Sequence, residues 1–478
     1  MRSAYDADTI RAAERPLLES LPDGTLMQRA ACALARRCAQ LVAPVYGSRV
    51  VVLVGSGGNG GDAMYAGANL ARRGARVDAV LLTDKPHESA LKALREAGGR
   101  AHRASGDEAA LLAHADLVID GMVGIGGTGA LREPMALVAR AVGDCDAIVV
   151  AVDVPSGVDA STGTVAGTAV RADVTVTFGA LKVGLVVDPG ASYAGLVECV
   201  EIGLDLPMAT TTVVDAADVA ALLPEPSTES DKYRRGVLGI VAGSDVYPGA
   251  ALLSVGGALG TGPGMVRFVG TYGPAHVVRL RWPEAVVTQI DTGDVEAMRA
   301  AGRVQAWVVG PGLGTGPEAR SLVEAALASD VPVLLDADAI TIVAAAPHLL
   351  GKAGHPTLLT PHAGELARLT GADREWIEAH RLEAAREAAR SLGVTVLLKG
   401  STTVVAEPDG SVRVNTVSTS YLATAGSGDV LSGVCGALLA GGLNALDSGS
   451  VGAFLHGFAG LIASGDVAGP ITAMDVVA

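Results

Sequence analysis

Near the end of this 478-residue chain, Gly426-Ser427-Gly428-Asp429 opens a long apolar run. Glycines at the start of a helix can turn several backbone N–H groups toward one anion. Asp429 would then stand beside that anion, placed to deprotonate a hydroxyl that attacks a phosphoryl group. The plainer reading is a glycine-rich N-cap whose carboxylate favours the helix dipole. Other loops favour phosphate chemistry. Lys399-Gly400-Ser401-Thr402-Thr403 offers hydroxyls and backbone donors between two strand-like runs. Gly310-Pro311-Gly312-Leu313-Gly314 and Thr360-Pro361-His362-Ala363-Gly364-Glu365 each close another such run. No G-x-x-x-x-G-K-[ST] occurs, which excludes a P-loop.

A second group lies in the N-terminal half. Gly55-Ser56-Gly57-Gly58-Asn59-Gly60 satisfies G-x-G-x-x-G between a strand-like and a helix-like run. Taken bare, that is a dinucleotide fingerprint, with Asp84 near the usual acidic offset. Asp62 argues against a dehydrogenase: it is expected at the helix N-terminus, where a carboxylate repels pyrophosphate. A simple cap by Asn59 and Asp62 is the plain alternative. Asp120 ends a later strand before GMVGIGGTGALRE, and Asp153 ends the next, in VDVPSGVDAST. Polar groups at strand C-termini converge on the crevice where open α/β sheets bind ligands.

These loops need sheets to hold them. RVVVLVG (49–55) is a continuous apolar run, as in a strand buried on both faces. Further strands are expected at 76–84, 115–124, 147–157, 172–179 and 196–203. Helices are expected at 26–42, 63–73, 88–97 and 131–142. A polar, Pro-rich stretch, LLPEPSTESDKYRRG (222–236), is expected between domains or as a long entry loop. The alternation then restarts, with strands at 237–243, 264–270, 306–312, 332–338, 356–361, 395–400 and 401–407. Helices follow at 250–259, 317–328, 376–391 and 429–440. Two α/β domains result, 1–212 and 213–478, each a parallel sheet covered on both faces.

Composition bounds the partners. Lys+Arg 36 against Asp+Glu 51 gives a net charge of −15, and aromatics are 3%. Such a chain is a poor ligand for nucleic acid or anionic membrane. Apolar residues at 49% supply ample core, and 62 glycines serve turns and close approaches. Five scattered cysteines with no CxxC support neither a disulfide framework nor a zinc knuckle. Met1 to Arg15 is charged and lacks the apolar stretch of a secretory signal, so a cytoplasmic protein is expected. The uncharged run Val246 to Val266 is expected as a buried loop–helix–loop, with a membrane span the lesser reading.

Four segments of the first half, GSGGNGGD, IDGMVGIGG, VDVPSGVD and FGALKVGLVVDPG, resemble in this order the NAD(P)H-hydrate epimerase domain. The resemblance implies a Rossmann-like three-layer α/β/α fold. It implies a potassium ion on Asn59, Asp120 and Ser156, oxygen donors that suit a large hard cation. It implies hydrated-nucleotide contacts from Gly58, Asn59, Gly60, Gly61 and Asp62, from Gly124, Ile125, Gly126, Gly127, Thr128, Gly129 and Ala130, and from Asp153. Epimerisation must move a proton at the ring carbon, so Asp153 is the first acid/base candidate and Asp62 the second. Gly58 stands where the family has the first of two asparagines, and Val123 where an aromatic is usual. These departures bear on rate more than on fold.

The second half resembles the ribokinase-like superfamily, and within it the ADP- or ATP-dependent NAD(P)H-hydrate dehydratase. DKYRRGVLGIVAGSDVYPGAALL, VVGPGLG, LLDADAI, TLLTPHAGE, LLKGSTTVVA and ATAGSGDVLSG carry the likeness, followed by FLHGFAG. Asp231 stands where a histidine is frequent. The resemblance implies that Asp429 deprotonates the ring hydroxyl, while amides of Gly426, Ser427 and Gly428 hold the phosphoryl group. It places ADP, with Mg²⁺ on its phosphates, against Lys399, Gly400, Ser401, Thr402, Thr403 and Gly428. It places the hydrated nucleotide against Ala250, Gly312, Gly314, His362 and Asp429. His362 could equally be a plain strand-end hydrogen-bonding residue. Together the halves resemble the bifunctional NAD(P)H-hydrate repair enzymes, whose substrates are hydrated NADH and NADPH and whose co-substrate is ADP. An oligomer of identical chains is expected. The competing function is a small-molecule kinase of the ribokinase-like class with a non-catalytic N-terminal binding module.

Overall fold

The structure, a computed structural model, describes residues 1–106, 108–352 and 354–478. Its contacts divide into two compact units, Ser3–Thr211 and Thr212–Ala478 together with Met1–Arg2.

In the first unit seven parallel strands lie in the spatial order Arg100–Arg103, Arg76–Leu81, Arg49–Val54, Leu117–Gly121, Ile148–Val152, Val174–Phe178, Leu196–Val200. Period-2 geometry sorts the apolar run 49–54 between the two faces. Val50, Val52 and Val54 join Leu34 and Met64 in one core. Val51 and Leu53 join Val138 and Val142 in the other. A side chain such as Leu53, 0% exposed, contributes roughly 1.5–3 kcal/mol by this burial. The chain direction across the sheet reverses between strands Arg49–Val54 and Leu117–Gly121. That reversal opens the crevice at the strand C-termini. The loops leaving these two strands touch, since a Cβ on Gly55 would lie 1.7 Å from the Met122 carbonyl oxygen. Only glycine permits that approach.

One boundary here differs from expectation in a way that matters. The helix after the first glycine loop begins at Gly58, not Ala63. Glycine propensity argues against helix there, but Gly60 packs on the Gly55 carbonyl, where any Cβ would clash at 2.4 Å. Packing overrides propensity. Asp62 therefore lies in the second turn of the helix and not at its N-terminus.

The second unit has the strand order Val286–Gln289, Met265–Gly270, Val237–Val241, Ala306–Val309, Val333–Leu335, Thr357–Leu359, Thr395–Leu398, Thr403–Ala406, Val412–Asn415. The first seven are mutually parallel. The last two run antiparallel, so this sheet is mixed rather than wholly parallel. Lys399 to Thr402 is thus a hairpin turn at the parallel sheet's edge. The direction reverses again between Val237–Val241 and Ala306–Val309, and the loops after both strands meet where the Gly243 amide donates to the Pro311 carbonyl at 2.7 Å.

Two further differences have physical causes, and two other stretches take a form the sequence had offered. The helix expected at 376–391 is two, Arg374–Ala379 and Arg381–Leu392, broken at His380 with φ −127° and ψ 47°. There the imidazole stacks on Trp376 at 5.0 Å and its Nδ1 lies 3.0 Å from the Trp376 carbonyl. Helix Ala445–Ser464 has no expected counterpart, because it is apolar nearly all round and shows no amphipathic period. The stretch 222–236 enters strand Val237–Val241 from inside the second unit. The run 246–266 folds as helix Pro248–Thr261 ended by Gly262, and no helix among the described residues is long and apolar enough to cross a membrane.

Candidate active sites

The first site sits in the crevice of the first unit, a cavity of about 600 Å³. Gly58, Asn59, Asp62, Gly124, Ile125, Gly126, Gly127 and Asp153 line it. Thr128, Gly129 and Ala130 instead line an adjoining cavity of about 320 Å³, which shares Val123, Gly127 and Met135 with the first. Gly60 and Gly61 are buried in the helix and present no surface to either.

Beneath the floor, Asp120 is fully buried. Its carboxylate accepts from the Ser156 hydroxyl at 2.6 Å, the Ser156 amide at 2.8 Å and the Met122 amide at 3.2 Å. All these donors are neutral, and burial pushes the carboxyl above its ordinary range. The Asn59 amide nitrogen donates to the Val152 carbonyl at 2.5 Å. Its carboxamide fills the space above Gly124, where a Cβ would meet Asn59 Oδ1 at 2.4 Å.

The reacting wall holds more charge than the sequence suggested. Asp153 has a left-handed φ of 67°, which turns its side chain back into the sheet end. Its Oδ1 accepts from Lys182 Nζ at 2.6 Å, the Thr177 hydroxyl at 3.0 Å and the Phe178 amide at 3.1 Å. Lys182 is 1% exposed and also donates to the Phe178 carbonyl at 2.6 Å. Asp62 is its opposite: buried, with an Oδ1 that has no hydrogen-bond partner. Burial, then the charges of Asp153 and Glu14, push its carboxyl well above the usual range. Glu14, on helix Ala7–Ser20, is raised as well, by burial and then by Asp153. One held carboxylate thus faces two carboxyls that favour their protons. Lys182, Glu14 and Arg11 were not singled out from sequence. The signal for Lys182 was present, a lone lysine inside the apolar run GALKVGLVV.

The second site is a cavity of about 600 Å³ in the second unit. Lys399, Gly400, Ser401, Thr403, Ser427, Gly428 and His362 line it, while Thr402 is buried behind the turn. Gly426 holds a φ of 85° as N-cap of helix Ser427–Ala440. A Cβ there would meet Leu253 at 2.4 Å. That cap sets Asp429 in the first turn. Burial and then the Asp336 charge push the Asp429 carboxyl up to about 7, against the opposing pull of Lys399.

Asp336 anchors the cluster. It is 1% exposed and accepts from Lys399 Nζ at 2.8 Å, the Thr360 hydroxyl at 2.9 Å and the Ser432 hydroxyl at 2.6 Å. Burial disfavours the Lys399 charge, but Asp336 and Glu365 outweigh it and hold the ammonium above its ordinary value. A Cβ on Gly428 would lie 3.3 Å from Lys399 Nζ, so the cation stands at the helix N-terminus. His362 caps helix Ala363–Thr370: its Nδ1 accepts from the Gly364 and Glu365 amides, and Glu365 returns a bond to the His362 amide at 2.8 Å. Burial lowers its imidazole, which is neutral at pH 7. Ala250 and Gly312 meet at the sheet's reversal point, a Cβ on Gly312 falling 2.8 Å from the Ala250 Cβ. The Gly314 amide donates to Asp338 at 2.8 Å. Asp336 and Ser432 escaped the sequence reading, although Asp336 ends a strand in LLDADAI.

Comparison with known proteins finds a match for each half of the chain. The family model for NAD(P)H-hydrate dehydratase matches residues 238–475, and that for the YjeF-related protein N-terminus matches residues 23–184. The bifunctional NAD(P)H-hydrate repair enzyme Nnr of Mycobacterium tuberculosis is 50% identical over 451 residues, 93% of this chain and 90% of that protein. The chain belongs to this family. The Mycobacterium leprae member is 49% identical over 474 residues, 98% of this chain and 95% of its own. Family members carry both regions in one chain, which sets aside a small-molecule kinase with a non-catalytic appendage. An ADP/ATP-dependent NAD(P)H-hydrate dehydratase of Bacillus subtilis, co-crystallised with ATP and Mg²⁺, superposes with a TM-score of 0.51 at 31% identity. It covers 55% of this chain and 93% of its own. A ribokinase-like superfamily protein of Enterococcus faecalis, 21% identical with a TM-score of 0.51 over 57% of this chain and 95% of its own, shares the fold.

Proposed function

We propose that this protein repairs hydrated nicotinamide cofactors, residues 1–212 interconverting the R and S hydrates and residues 213–478 dehydrating the S form with ADP. The observation that carries the second half is Asp429. Burial pushes this carboxyl up to about 7, and it stands in the first turn of the helix whose leading residues Ser427 and Gly428 line a nucleotide-sized cavity. A general base poised near the working pH is what a hydroxyl nucleophile needs.

Asp429 takes the proton as the ring hydroxyl attacks the β-phosphorus of ADP, and AMP leaves. The ring carbon now bears a phosphate ester, a better leaving group than hydroxide. Its C–O bond breaks with loss of a proton from the neighbouring carbon, and the dihydropyridine and inorganic phosphate result. Lys399 stands at the helix N-terminus to meet the phosphates, while Gly400, Ser401, Thr403 and the Gly426–Gly428 amides supply donors. Ala250, Gly312, Gly314 and His362 surround the hydrated nucleotide. No group of three or more His, Cys, Asp or Glu among the described residues forms a metal cage. An Mg²⁺ would ride on the nucleotide phosphates, which supply most of its ligands together with water. When bound it neutralises charge on the phosphates.

In the first unit Asp153, held by Lys182, is the base, and Asp62, kept protonated by burial, is the acid. A carboxylate fixed by a lysine beside a carboxyl whose proton burial favours suits removal of hydroxide from one face and delivery of water to the other. Asn59, Asp120 and Ser156 are the potassium ligands. A buried carboxylate surrounded only by neutral donors fits a cation beside it. The reading includes a cytoplasmic enzyme that is an oligomer of identical chains, and the net charge of −15 disfavours nucleic acid and anionic membrane as partners.

The deciding experiment is incubation with chemically hydrated NADH and ADP, following the absorbance of the reduced nicotinamide. Recovery of both epimers as NADH is expected. Recovery of the S form alone would remove the epimerase assignment. No recovery would remove both.

A further inference from the structure

The first cavity is lined by three carboxyl side chains, Glu14, Asp62 and Asp153, yet the substrate assigned to it carries a pyrophosphate. The pyrophosphate itself calls for a cation, since the neighbouring Lys182 is already taken by Asp153. Among its lining residues Arg11 is the only cation. Arg11 and Glu14 lie three residues apart on helix Ala7–Ser20, on one face. This helix precedes the region 23–184 that the family model matches. Arg11 Nη2 donates to the Ile125 carbonyl at 2.9 Å, and its Nη1 to Asp8 at 2.6 Å. Five N–H groups are available on a guanidinium, so three remain. Under it, the Gly127 amide closes a turn onto the Gly124 carbonyl at 2.9 Å. Among the described residues, the amides of Gly124, Ile125 and Gly126 have no protein acceptor. A Cβ on Gly126 would lie 3.8 Å from Arg11 Nη2, so guanidinium and free amides sit at one place. Successive unpaired amides in a turn form an anion-binding concavity.

We propose that Arg11 is a substrate-binding residue. It receives, with the Gly124–Gly126 amides, the pyrophosphate of the hydrated dinucleotide, so that the ring falls on the carboxyl wall. The assignment rests on the epimerase reading of the first unit. Arg11 fixes the position of the charged middle of the substrate and takes no part in proton transfer. Its removal therefore acts on KM rather than on kcat, and the salt dependence of KM weakens with it.

The test uses the full chain without ADP, so that only R-to-S conversion of hydrated NADH is read, by chromatography of the two epimers. Arg11→Ala is expected to raise KM about tenfold, the loss typical of a charge-assisted hydrogen bond, and Arg11→Lys to recover part of it. Inorganic pyrophosphate is expected to compete with substrate in the parent protein and much less in Arg11→Ala. Hydrated nicotinamide riboside, which lacks the pyrophosphate, should lose nothing in the variant. An equal loss with the riboside, or undiminished inhibition by pyrophosphate in Arg11→Ala, overturns the proposal and leaves Arg11 a tether for the Ile125 turn. A parent protein that converts neither epimer overturns the epimerase reading itself, and this proposal with it.

Discussion

Asp429 and Asp153 are both carboxylates at the end of a glycine-bearing segment, yet their surroundings set them different tasks. Asp429 has its carboxyl pushed up to about 7 by burial and the Asp336 charge. A base must be ionised, so dehydration should rise with pH through about 7 and level off above it, which a kcat–pH profile measures. Asp429→Asn keeps the shape and removes the base; nucleotide binding should persist while dehydration falls by roughly 10²–10⁴. Turnover within a few-fold of the parent would mean another group takes the proton. The same carboxyl is ordinary in the unfolded chain and raised in the folded one, so the folded state holds the extra proton between the two values. Its contribution to stability is therefore lost as pH rises toward 7. In the first unit, Asp120→Ala should abolish the potassium response in a thermal-shift titration, while Asp153→Asn should keep that response and lose R-to-S conversion. Asp429 was legible from the glycines that precede it, and Asp120 and Asp153 because each stands at the end of an apolar strand-like run before a glycine-bearing loop. Asp336 and Lys182 were not, because a buried ion pair joins residues 63 or 29 positions apart and no local spacing records it.

Helix termini carry the second site, and His362 shows how an element and a site share one residue. Its ring caps helix Ala363–Thr370 and also lines the cavity. His362→Ala should cost about 1 kcal/mol of stability, as cap losses do, read by denaturant unfolding. His362→Asn restores a cap. The proposed substrate contact predicts that Asn recovers stability but leaves KM for the hydrate raised. Recovery of both would make His362 a cap only. Gly426 is a sharper case, since a left-handed φ of 85° and Leu253 at 2.4 Å both oppose a side chain. Gly426→Ala should cost at least about 1–2 kcal/mol and weaken ADP binding together, because the same residue aims the amides. The strands were legible as continuous apolar runs. Helix Ala445–Ser464 was not, because apolar and small residues fall nearly all round it and leave no 3.6-residue period. The start at Gly58 was not either, because what stabilises a glycine helix turn there is the close packing of Gly60 on the Gly55 carbonyl, a tertiary contact that no helix propensity records.

At the scale of the molecule, the break in alternation before residue 237 signalled two sheets, and the described cores respect it. The buried residues of the apolar clusters built around Leu53 and Val52 fall within 30–202, and those of the clusters around Leu238 and Val434 within 214–476. A unit with its own core can fold alone. Residues 1–212 and 213–478, expressed separately, should each give one cooperative unfolding transition. The C-terminal piece should dehydrate the S hydrate and stop with the R hydrate left over. Adding the N-terminal piece should carry the reaction to completion, at a rate that depends on its concentration and on potassium. The spontaneous interconversion of epimers sets the background, measured with the C-terminal piece alone. An N-terminal piece that folds but does not raise the rate above that background would count against catalysis by the first unit and leave dehydration standing. A C-terminal piece that is insoluble or loses its cooperative transition would move the boundary away from residue 212.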